Sequence, residues 1–206
     1  MSKKQITITK LVSPLLAAGL LVAFVLLKNT PVAKAHIMPT PCDFTTGGGF
    51  VITGDGNHAN FGLVGGCKNG GFFGHVNFVN HDTTGMFAGL HLSSTQILGY
   101  FEPVAGSNVR DICGTADTNL FGPVKFRART EDNGEPGIGV DKFGLKFCNA
   151  VGCSTDFTEG GLPFLSTRPL AGGNIQLHKP NPSTTGPSTP PLEMDACGSD
   201  DSGLGT

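Results

Sequence analysis

The sharpest chemistry in this sequence belongs to His36. It follows Ala33-Lys34-Ala35, an A-x-A site of the kind that leader peptidases cut. A cut there makes His36 the first residue and offers its amine and its imidazole to one copper ion. Copper-dependent polysaccharide monooxygenases use such a brace, with a second histidine and an axial aromatic on a β-sandwich. The chain has no Trp and a single Tyr, Tyr100, whereas polysaccharide surfaces usually rest on such rings.

Two other groups could bind metal. Asp132, Asn133, Glu135 and Asp141 surround a glycine turn that lets neighbouring oxygens converge, as a hard cation such as calcium requires. Their spacing departs from the EF-hand loop, and Asn133-Gly134 is equally a strong hairpin signal. His75, His81 and His91 are candidates for zinc or copper together with His36. On one strand His75 and His81 would share a face but stand about 20 Å apart, so another strand would have to help. Motifs for a serine nucleophile, a zinc protease, a phosphate loop or a dinucleotide fold are absent.

The segments around these residues set the compartment. Residues 1–35 carry Lys3, Lys4 and Lys10, then the apolar stretch from Leu11 to Leu27, then the small-residue site: the order of a secretory signal. Uncut, the same stretch would serve as a membrane anchor, although it is slightly shorter than a comfortable span. Five of the 14 basic residues and none of the 16 acids precede His36, so the remainder carries a charge of −7. That balance gives no footprint for a nucleic-acid backbone. All six cysteines, Cys42, Cys67, Cys113, Cys148, Cys153 and Cys197, lie beyond the signal. An even count in an exported chain points to disulfides. Cys148 and Cys153 are the simplest pair, across the turn at 149–152.

From residue 36 to 180 the pattern is short alternating runs between glycine-rich turns. Strands are expected at 50–53, 60–64, 75–80, 90–101, 124–130, 143–148 and 174–178. In 124–130, Val124, Phe126 and Ala128 alternate with Lys125, Arg127 and Arg129, so one face should meet a core and the other water. The expected fold is all-β: an antiparallel β-sandwich or open barrel of about seven to nine strands, after an N-terminal signal helix. Residues 181–206 open on a Pro/Ser/Thr tract and should form a disordered tail.

Several motifs then occur in one order: Gly47-Gly48-Gly49, Asn60-Phe61-Gly62, the run from Gly74 to His81, the block from Glu131 to Gly137 with Asp141-Lys142-Phe143, and the run from Leu170 to His178. Together they resemble the post-COAP family of exported bacterial domains, over roughly residues 44–179. Phe78 stands where that family usually has Tyr. The resemblance implies an all-β extracytoplasmic module, with no established reaction and no catalytic residue to transfer. The expectation is therefore a non-enzymatic secreted or cell-surface module that binds an extracellular or envelope ligand or serves structurally. It meets the membrane only through an uncut signal. A metal-binding module is the alternative, and the copper enzyme at His36 a further one.

Overall fold

Alternation and turn chemistry build the sheet. In the computed structural model, residues 36–149 and 167–199 are described. They fall in one compact unit, Ala35–Thr206. Residues 1–35, where a signal helix is expected, lie outside the described ones, as does Cys153.

Nine strands form one antiparallel sheet: β1 (Phe44–Ile52), β2 (His58–Lys68), β3 (Gly71–Asn80), β4 (His91–Phe101), β5 (Val109–Thr118), β6 (Gly122–Glu131), β7 (Lys142–Cys148), β8 (Arg168–Pro169) and β9 (Gly172–His178). The order is β8-β7-β6-β5-β4-β3-β2-β1-β9, a meander whose last strand returns to the free edge of the first. Asn69 and Gly70 both have positive φ, the signature of the two-residue turn whose twist matches the strands it joins. They set the β2–β3 register at Lys68 opposite Gly71. β5 was not expected, and β1 takes in the whole glycine triplet.

The sheet curls into a half-barrel. Phe61 on β2 and Phe143 on β7 are five strands apart in the sheet, yet their rings stack with centroids 4.0 Å apart. That contact closes the inside, where Phe78, Phe126, Leu92, Leu145 and Ile175 are also buried. On β6, Val124, Phe126 and Ala128 face this core as alternation predicts. The opposite face does not meet water: Arg127 and Arg129 are 0% exposed. A second layer meets Arg127, made by the segment from His36 and by the helix α1 (Glu193–Cys197).

That layer takes in part of the expected disordered tail, of which residues 200–206 lie outside the described ones. Within residues 181–199, Thr184, Ala196, Cys197 and Ser199 are buried. The N–H groups of Asn69 and Gly70 donate to the carbonyls of Ser183 and Thr185. Cys197 is bonded to Cys113 of β5. The proline tract cannot form a ladder, but its carbonyls can accept from a turn that leaves N–H groups free. Cys42 pairs with Cys67, and Cys148 is also disulfide-bonded.

The glycine motifs differ in what they do. A Cβ at Gly49 would fall 2.1 Å from the Gly172 carbonyl oxygen, so only glycine permits the β1–β9 approach there. A Cβ at Gly62 would meet nothing within 4 Å. Gly49→Ala is therefore expected to lower stability by about 1–3 kcal/mol, as overpacking does. Gly62→Ala is expected to raise it by about 0.5–1 kcal/mol, because alanine loses less backbone entropy in a strand. Paired urea titrations check both signs, and a loss at Gly62 would show that a close neighbour occupies that position.

Candidate functional site

The covered face of β5 and β6 holds a buried ionic cluster. Antiparallel pairing sets Asp111 opposite Arg129 and Cys113 opposite Arg127. All four side chains project from the outer side of the sheet by the two-residue period. Asp111 is 0% exposed. Its Oδ1 accepts from Arg129 Nε at 2.8 Å, and its Oδ2 from Arg129 Nη2 at 2.9 Å and Arg127 Nη1 at 2.6 Å. One carboxylate thus neutralises parts of two guanidinium groups. Arg127 Nη2 also donates to the Ser199 carbonyl at 2.6 Å.

His36 completes the cluster from above. Its Nδ1 lies 2.7 Å from Glu193 Oε1 and 3.5 Å from Asp111 Oδ2. Its backbone N–H donates to Glu193 Oε2 at 3.2 Å. Glu193 also pairs with Arg127. The helix that carries Glu193 is pinned by the Cys113–Cys197 bond and by its own left-handed cap at Gly198. Both carboxylates are held below their usual range. Burial opposes this in each case. For Asp111 it is outweighed by the hydrogen bonds from Arg129 and His36 and by the Arg129 and Arg127 charges; for Glu193, by His36 and Arg127.

Burial by itself would lower the His36 pKa. The hydrogen bonds and charges of Asp111 and Glu193 outweigh it and raise the value to about 9. A folded pKa above the unfolded one stabilises the fold fully below about pH 6.5, and that stability disappears as pH rises through 9. In a chain whose 35–36 bond is intact, stability should fall by up to about 3 kcal/mol between pH 6 and pH 10. Denaturant titration across that range checks it, with His36→Gln expected to flatten this part of the slope. An equal slope in the variant would assign the titration to another group.

A second buried pair closes the inner end of the half-barrel. Arg110 grips Asp43 with Nη2 to Oδ2 at 2.7 Å and Nε to Oδ1 at 3.1 Å. The Tyr100 hydroxyl donates to Asp43 Oδ1 at 2.7 Å and lies 2.9 Å from Thr45 Oγ1. Burial and the Asp43 charge push the Tyr100 phenol well above its usual range.

The acids singled out in 132–141 are placed along the free edge of β9. Ile175 and Leu177 turn their N–H groups away from β1. Asp141 Oδ2 accepts from Ile175 at 2.8 Å and Asp132 Oδ2 from Leu177 at 2.7 Å. Asp141 Oδ1 takes the N–H groups of Asn133 and Gly134. Glu135 accepts from the Asn174 amide, and Asn133 donates to the Val140 carbonyl. These oxygens satisfy a strand edge that a further strand would otherwise fill.

The histidines do not converge. His75 is exposed on β3 and bonded to Ser94 and Asn77, while His81 and His91 are exposed. Among the described residues, His36, Asp111 and Glu193 are the one group of metal-ligand type whose atoms come together. The two nitrogens of a copper brace therefore both face one carboxylate, with Arg127 Nη1 3.3 Å from Nδ1. Asp43, Arg110, Asp111, Arg127, Arg129 and Glu193 were not among the expected site residues. Comparison with protein-family models, with curated proteins and with solved structures gives no match to this chain.

Proposed function

We propose that the chain is an exported, non-enzymatic β-module, a rigid binding or structural element outside the cytoplasm. The observation that carries this reading is the state of the ionic cluster. Its acids and bases are buried and paired with one another, an arrangement that holds a fold rather than facing a substrate. The signal-like residues 1–35, the disulfides and the resemblance to post-COAP domains read from the sequence support export.

A ligand would meet the outer face of β9-β1-β2-β3. Phe44 stacks on His178 with centroids 4.3 Å apart, and Phe50 on His58 at 4.4 Å. Both phenylalanines lie on one face of β1, beside the amides of Asn60, Asn77 and Gln176 on the neighbouring strands. This mixture of phenylalanine rings, imidazoles and amides suits a hydroxyl-rich polymer such as a polysaccharide.

The test is retention of the exported protein on insoluble polysaccharides and on cell-envelope fractions, with Phe44→Ala/Phe50→Ala beside it. Retention that the double variant loses supports a binding module. Retention that it keeps moves the surface elsewhere, and no retention on any material leaves the structural role. Stoichiometric copper uptake by the exported form would overturn the non-enzymatic reading.

A further inference from the structure

We propose that hydrolysis of the Ala35–His36 bond completes the fold, because the α-ammonium group it creates is received by the Glu193 carboxylate. This rests on the export reading above. In the reaction, water adds across the peptide bond. The hydroxyl goes to the Ala35 carbonyl carbon and a proton to the His36 nitrogen; the new carboxylic acid then gives up its proton and the amine gains one, leaving carboxylate and ammonium. A leader peptidase with a preference for small residues is the enzyme class required.

The socket is already built. His36 is only 9% exposed. Its backbone nitrogen points at Glu193 Oε2, 3.2 Å away, while Nδ1 reaches Oε1 of the same carboxylate. A neutral amide now donates to Oε2. After the cut, an ammonium group stands at that place, and charge-assisted hydrogen bonds are roughly twice as strong as neutral ones. The receiving carboxylate cannot drift, since the Cys113–Cys197 bond fastens its short helix to β5.

The other charges around this point decide how protons are shared. Arg127 and Arg129 come from β6, Asp111 from β5 and Glu193 from the helix. Arg127 repels a second cation beside His36. The Glu193 carboxylate has two oxygens, and the ammonium group and the imidazole each meet one of them.

The full chain is exported with its own leader and compared with a variant carrying one glycine inserted between Ala35 and His36. The variant keeps an amide at His36. Each is also made with Glu193→Gln. Two quantities are read: the melting temperature, and the rate of α-amine acylation near neutral pH. The native-ended protein is expected to begin at His36 and to melt about 2–4 °C above the extended one. Its amine should acylate about tenfold more slowly, and Glu193→Gln should erase both differences. Equal melting and equal acylation would overturn the proposal while leaving export intact. A mature chain that begins elsewhere would overturn it as well, and that outcome leaves the polysaccharide assay untouched.

Discussion

Asp111→Asn is expected to cost about 3–5 kcal/mol, the largest loss from any single substitution in this chain. The amide keeps the shape of the carboxylate and removes its charge. Arg127 and Arg129, both 0% exposed, would then be left without their shared anion. Breaking a buried ion pair from one side is costly for that reason, while replacing all its members with apolar groups often is not. A folded but weakened Asp111→Asn protein can be followed by urea denaturation. If the single variant fails to fold, Asp111→Asn/Arg127→Met/Arg129→Leu should recover most of the loss. A single variant within about 1 kcal/mol of the parent would show that Asp111 is not the hub of this face.

The covered face also explains how much of the molecule is legible in the sequence. Two-residue periodicity reveals β3, β4 and β6, and the Asn69-Gly70 turn sets a register. β5 escapes because Val-Arg-Asp-Ile-Cys-Gly-Thr-Ala-Asp-Thr has no clean alternation. Its inward side carries Arg110 beside Ile112 and Ala116, and its outward side Asp111 beside Cys113. Each side mixes charged and apolar residues because each is buried. The same physics hides the cluster. Lys125, Arg127 and Arg129 repeat every second residue, the pattern of a strand face in water. What covers that face comes from His36 and from Glu193, far away in the chain. Two local signals point to it: adjacent Arg110 and Asp111 within a strand, and Cys197 beyond a proline tract that offers nothing else to bury. The acids of 132–141 were recognisable as a turn. Their role along β9 was not, since it depends on which strand ends at the free edge of the sheet.

Removing the Cys113–Cys197 bond is expected to have an effect of similar size. The cysteines are 84 residues apart, against 25 for Cys42–Cys67. In the chain-entropy account the longer loop contributes about 4–5 kcal/mol and the shorter about 3–4 kcal/mol. Cys113→Ser/Cys197→Ser, with both cysteines replaced to avoid a free thiol, should therefore lower stability more than Cys42→Ser/Cys67→Ser. The two losses should also differ in kind. Cys197 ends the helix that carries Glu193, so its release frees one of the two carboxylates that raise the His36 pKa, while Asp111 stays in place. The first variant should show a shallower decline in stability between pH 6 and pH 10, and protease should cut it within residues 180–199. The second variant lacks a bond on the inner face of the sheet, beside the Asp43–Arg110 pair, and should keep the decline. If both variants lose equal stability and retain the same pH dependence, the helix does not need its disulfide to hold Glu193 over His36. The socket would then be maintained by the Arg127 and Ser199 contacts alone.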